Sequence, residues 1–166
     1  MSDYYTEQLI KKQTTMKDIC IKALLVSLAI VSVLVIFLFP LGIIVPVAVI
    51  AGVVFLFRRL DVEYEYLYVN GELDIDRIAS KAKRKRIKSL DLSKMEIMAP
   101  LKSHRLDYQN HNKNMKVFDF SSGNPSHNIY AMIIPDDKEV CKVLIEPDME
   151  LIKNIEKSCP RKVFTD

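Results

Sequence analysis

Charged side chains are absent from residues 23–57, a run of 35 in which the only ordinary polar side chains are Ser27 and Ser32. A charge-free stretch of this length reads as membrane-spanning. As one helix it would measure roughly 52 Å at about 1.5 Å per residue, against a hydrocarbon core of about 30 Å. Pro40, Gly42 and Pro46 interrupt the run near its middle. The pattern therefore predicts a membrane helical hairpin, with transmembrane helices at about 21–39 and 43–59. One kinked or re-entrant span is the alternative. Gly42, Ala48, Ala51 and Gly52 are small enough to let such helices pack closely.

After Asp61 the period changes from helical to alternating. "VEYEYLYVNGELDIDRI" holds two alternating runs joined by Asn70-Gly71, the signal of a two-residue type I′ hairpin. That turn fixes the register. Tyr68 faces Leu73, Tyr66 faces Ile75 and Tyr64 faces Arg77, all on one face that is the candidate core side. The other face gathers Glu63, Glu65, Leu67, Asp74 and Asp76. Like charges directly opposite one another are destabilising, so positive side chains are expected beside them. Further strands are predicted at about 84–90, 94–98, 115–120, 129–134 and 139–145. A loop covers 100–114 and a turn 121–126. Pro147, Asp148 and Glu150 then open a helix over 147–158, which Pro160 ends. Ahead of the apolar run, residues 1–20 offer a short interfacial helix, with Leu9, Met16 and Ala23 seven apart; a polar leader is the alternative.

Charge refines this picture. The net charge is +3, while residues 61–166 carry 18 basic and 18 acidic side chains. Such balance argues against a nucleic-acid module. The charges are segregated, however. "KAKRKRIK" holds Lys81, Lys83, Arg84, Lys85, Arg86 and Lys88 in one run, the candidate contact for anionic lipid headgroups. Lysines that merely blunt a sheet edge are the alternative. Lys11, Lys12, Lys17 and Lys22 precede the apolar run, and Arg58 and Arg59 follow it. Lys22, Arg58 and Arg59 thus flank the membrane. By the preference of basic flanks for the inner side, both termini are expected in the cytoplasm of a multi-pass plasma-membrane protein.

Catalytic and metal signals are weak. Asp74 and Asp76 share a strand face, but nothing else supports an ion site. His104, His111 and His127 lie in loops without zinc spacing. Cys20, Cys141 and Cys159 form no CxxC, and their sparse, odd count fits a reducing compartment. No nucleophile motif or phosphate loop is present, so neither an enzyme nor a cofactor is expected.

About seven strands followed by a carboxy-terminal helix resemble the pleckstrin-homology superfold, a partly open antiparallel β-barrel. In particular, "VEYEYLYVNGELDIDRI", "KRKRIKSLDLSKMEIM" and "IYAMIIPDDKEVCKVLIEPDMELIKNIEKSCP" are similar to bacterial PH-like domains that follow a pair of membrane helices. Nearly the whole chain, from "MSDYYTEQLIKKQTTMKD" onwards, resembles an uncharacterised family of small membrane proteins of Gram-positive anaerobic bacteria. The closing helix has no Trp, and phosphoinositide binding is not carried over. The resemblance implies a non-enzymatic protein whose PH-like domain, residues 61–166 on the cytosolic side, binds a protein or contacts anionic lipid. An accessory subunit of a membrane transport or envelope complex, recognised through its helices, is the second expectation. Membrane lipids, an unidentified protein and a second copy are the expected partners; nucleic acid and a small-molecule substrate are not.

Overall fold

A computed structural model describes residues 4–34, 42–80, 83–111, 115–136 and 139–166. Among these residues eight strands form two four-stranded sheets. The first sheet has the order β1-β2-β3-β4, from β1 (Tyr5–Lys11), β2 (Val62–Val69), β3 (Glu72–Ala79) and β4 (Lys83–Asp91). The second has the order β5-β7-β8-β6, from β5 (Ile97–Pro100), β6 (Lys116–Asp119), β7 (Tyr130–Asp136) and β8 (Glu139–Ile145). All pairings are antiparallel except β6 with β8, which run parallel. The expected partly open antiparallel barrel of about seven strands is corrected: the described strands form two separate sheets that face one another, with one parallel pairing, and β4 and β6 each end a sheet.

The β2–β3 hairpin follows its turn chemistry. Asn70 and Gly71 have φ of 47° and 98°, the left-handed values a type I′ turn requires. The resulting register pairs Tyr68 with Leu73, Tyr66 with Ile75 and Tyr64 with Arg77. The three tyrosines, Leu73 and Ile75 are buried against Met98, Met132, Ile134, Val143 and Ile145 of the second sheet. Leu151, Ile152 and Ile155 of helix α4 (Met149–Ser158) seal the same core. Asp148 caps that helix, its carboxylate accepting from Leu151 N at 2.7 Å. Tyr66 is the central strut. Its hydroxyl donates to Phe120 O at 2.6 Å and accepts from Glu146 N at 3.2 Å. A smaller cluster on the far side of the second sheet buries Ala99, Leu106, Ala131 and Ile133.

Residues 5–11 form a strand, where the seven-residue spacing had suggested a helix. β1 pairs along the whole of β2. Its inward side chains reach α4: Gln8 Nε2 donates to Glu146 O, Gln8 Oε1 accepts from Asp148 N, and Thr6 Oγ1 accepts from Asn154 Nδ2. Three partners of this kind outweigh the weak amphipathic pattern.

Between β1 and β2 the chain makes α1 (Met16–Leu34) and α2 (Ile44–Leu60), which pack together. Among the described residues no helix is long and apolar enough to cross a membrane. The expected membrane hairpin, the multi-pass plasma-membrane location and the topology drawn from it are corrected accordingly. The physical reason lies in where the helices sit. α1 starts seven residues before the apolar run and so takes in Lys17, Asp18 and Lys22, while α2 is 17 residues long and carries Arg58 and Arg59 in its last turn. Pro40 and the end of the first predicted helix lie outside the described residues. Leu25, Ser32, Pro46 and Val53 are the buried residues of the pair. Ala48, Ala51 and Gly52 are exposed, and a Cβ on Gly52 would meet nothing within 4 Å. Gly42 is buried just before α2. The small residues thus do not line a close α1–α2 contact as expected.

Candidate functional site

The basic run lies on β4 and divides by face. Arg84 and Arg86 point outward with the acidic face of β2 and β3. Arg84 reaches Asp76 Oδ2 at 2.5 Å through Nε and Glu65 Oε2 at 2.6 Å through Nη2. Arg86 Nη2 lies 2.7 Å from Asp74 Oδ2, and its Nε lies 3.6 Å from Asp76 Oδ1. The guanidinium groups are about half exposed and the Glu65 and Asp76 carboxylates buried, so the arginines act as lids over buried charge. These are the positive side chains that the crowded acidic face demanded. Asp74 and Asp76 are used here as arginine partners.

Electrostatics at this cluster are uneven. Burial, and then the neighbouring Glu7 carboxyl, hold Glu65 above its ordinary value. Glu7 is held below its own by hydrogen bonds from Tyr5 and Glu65. Arg84 is pushed further up, first by its bond to Asp76. The two neighbouring glutamates are thus shifted in opposite directions, Glu65 upward and Glu7 downward.

The other half of the run faces inward. Lys85 pairs with Arg77 and Lys83 with Ala79. A register shift between Ile75 and Asp76 leaves Ile87 as the extra residue of a bulge. Lys88 consequently joins the face of Lys83 and Lys85, opposite Ile75. Arg77, Lys83 and Lys85 are exposed and make no ion pair among the described residues. Arg77 and Lys85 stand directly opposite as like charges, an unfavourable cross-strand pairing. Deeper in, Lys88 Nζ lies 4.0 Å and Lys116 Nζ 5.2 Å from the centre of the half-buried Phe118 ring on β6. Phe118 stacks on Phe120, whose ring meets Tyr64 edge-on at 5.6 Å. Lys81 lies outside the described residues. Lys22 is half-buried on α1, Arg58 is exposed, and Arg59 stacks over Phe55 at 4.5 Å.

β4 also has an unpaired edge. It hydrogen-bonds β3 on one side, and no described strand pairs with the other. The same holds for the side of β6 away from β8.

A second polar cluster escaped the sequence. Glu146 Oε1 lies 2.5 Å from His127 Nδ1, and Glu146 Oε2 accepts from Ser122 N. Ser122 Oγ is 3.4 Å from the same Nδ1, while Asn124 Nδ2 meets Nε2 at 2.9 Å. A nucleophilic relay needs the acid and the hydroxyl on opposite ring nitrogens. Here both meet Nδ1, so the cluster pins the 121–127 turn to the end of β8. Ser-His-Glu spacing over 122–146 carries no local motif that would have revealed it. Among the described residues no group of three His, Cys, Asp or Glu is placed to hold a metal.

Two facing sheets whose common core is sealed by a carboxy-terminal helix form a PH-like β-sandwich. The comparison with known families agrees. The chain belongs to the bacterial PH-like domain family (DUF6106), which it matches over residues 2–165. No curated protein and no solved structure shows significant similarity to it.

Proposed function

We propose that this protein is a non-catalytic interaction module that receives an extended, acidic segment of a partner protein along the free edge of β4. One observation carries the reading. The basic run is only half consumed inside the fold: Arg84 and Arg86 meet buried carboxylates, while Lys83 and Lys85, with Arg77 opposite Lys85 on β3, stand exposed near the edge of β4 that no described strand pairs. Unpaired backbone groups supply affinity in strand addition, and flanking side chains supply selectivity. Lysines on an edge repel a second copy of the same edge, yet the same charge admits an acidic strand.

Peptide display on the full chain tests this, with mild detergent covering the exposed apolar side chains of α1 and α2. Enriched peptides are expected to carry excess Asp and Glu, to slow amide exchange along Lys83–Asp91, and to lose binding to a K83E/K85E variant. Enrichment without acidic bias, or protection elsewhere, would sink the reading. Vesicles of phosphatidylglycerol form a separate arm. Protection of β4 by vesicles and by no peptide would replace the protein partner with a lipid surface.

A further inference from the structure

The outer edges of the two sheets are closed unevenly. The side of β5 away from β7 is taken by the carboxy-terminal tail, where Met98 N donates to Lys162 O and Phe164 N to Met98 O. β1 ends the first sheet opposite β4, and no described strand pairs with its far side. In an antiparallel pair every second residue bonds the neighbouring strand, and the residues between turn their N–H and C=O groups the other way. Lys12 N donates to Val62 O at 3.1 Å and Asn70 N to Tyr4 O at 3.2 Å, so the even-numbered residues of β1 bond β2. Tyr5, Glu7, Leu9 and Lys11 therefore turn their backbone groups outward, and their side chains are exposed. Just past the strand's end the edge is closed again, Gln13 N donating to Ser122 O at 2.8 Å.

The charges along this edge are self-complementary. Leu9 is 54% exposed, with Glu7 two residues before it and Lys11 two residues after. Two copies of β1 laid antiparallel about Leu9 set Leu9 against Leu9, and Glu7 against Lys11 in both flanking rows. Centring the pair on Gln8 would set Glu7 against Leu9, and centring it on Glu7 or Lys11 would oppose like charges. The Tyr5 hydroxyl donates to Glu7 at 2.7 Å and holds its carboxyl below the ordinary value. Lys11 lies 4.0 Å from Asp61, a contact at the outer limit of an ion pair that leaves its side chain 66% exposed. The edge of β4 has no such symmetry, since its lysines and arginines repel their own copy.

We propose that this protein self-associates through β1, two copies joining edge to edge, antiparallel and centred on Leu9, into one continuous sheet with two-fold symmetry. The basic edge of β4 stays free at both ends of that sheet, so the pair presents it twice. A strand pair alone buries less than the roughly 1,200 Å² of a standard stable interface, so the dimer should form at micromolar concentrations rather than below them.

The experiment takes the full chain in mild detergent through a concentration series, with sedimentation for mass and residue-resolved amide exchange to locate the contact. Mass should approach that of two chains as concentration rises. The amides of Glu7, Leu9 and Lys11 should slow with it, while those of Thr6, Gln8 and Ile10, already bonded to β2, change little. E7K and K11E should each dimerise roughly tenfold more weakly, because each opposes like charges in both rows. An equal mixture of the two variants restores opposite charges in both rows and should recover the affinity of the unaltered chain. Leu9→Pro removes the central outward N–H without touching a bond to β2, and should stay monomeric. Thermal melting identifies any variant that fails to fold, and exchange on the unaltered protein needs no variant. A chain that stays monomeric throughout, a dimer that protects β4 or the helices in place of β1, or a mixture as weak as the single variants would overturn the inference.

Discussion

Alternating residues of one basic run do different physical work. Arg84 covers two buried carboxylates, so Arg84→Ala leaves Glu65 and Asp76 buried without it and should cost about 3 kcal/mol in chemical denaturation. Lys83→Ala and Lys85→Ala touch no described partner and should stay within about 0.5 kcal/mol in the same assay, while weakening acidic peptides. A stability loss at Lys83 as large as that at Arg84 would contradict the division. Glu65 adds a pH signature. Its folded value is raised, so the folded chain holds that proton more tightly than the unfolded chain does. Stability attributable to Glu65 is therefore fully present below its ordinary value of 4.5 and falls as pH rises through the raised one. Glu65→Gln should flatten that decline just above pH 4.5 in a series of denaturation midpoints. Glu7 runs the other way, its contribution being lost as pH falls through its lowered value. Tyr66→Phe removes a donor to Phe120 O and an acceptor for Glu146 N, and should cost about 1–3 kcal/mol on melting or denaturation.

Element by element, what the sequence disclosed depended on how local the cause was. Asn70-Gly71 settles a two-residue turn, and from it every pair in β2–β3 follows without tertiary information. β8 was similarly legible from its alternation, whereas α4 starts at Met149 with Asp148 as its cap, two residues after the expected start at Pro147. β1 was not. "YTEQLIK" gains its strand state from β2 and from the bonds of Gln8 and Thr6 to α4, all supplied by residues more than fifty positions away. Gln8→Ala removes two of those bonds and should cost about 1–2 kcal/mol, with exchange quickening first along Tyr5–Lys11. The apolar run misled in another way: counting residues without charge overlooked that α1 begins early and takes in three charged residues. At the candidate site, strict alternation would have grouped Lys88 with Arg84 and Arg86. The bulge beside Ile87 reverses that grouping, and no residue type in the run announces it.

Across the molecule, the charge distribution reads as a filled half and an unfilled half around one strand. Binding driven by the unfilled half should weaken as salt rises, because exposed charges are screened over about 10 Å at 0.1 M ionic strength. Peptide affinity measured between low and high salt checks this, and salt-independent affinity would assign recognition to the backbone alone. The placement of the helices has another outcome. The chain enters α1 just after β1 and leaves α2 just before β2, and these strands are neighbours. Lys12 N donates to Val62 O, and Ser80 Oγ to Arg58 O, fastening both roots to one corner of the sheet. The helix pair is thus mounted at two points, as a lever is on a bracket. Torque on the helices arrives as shear between β1 and β2, and that pair is where the molecule should first yield under load.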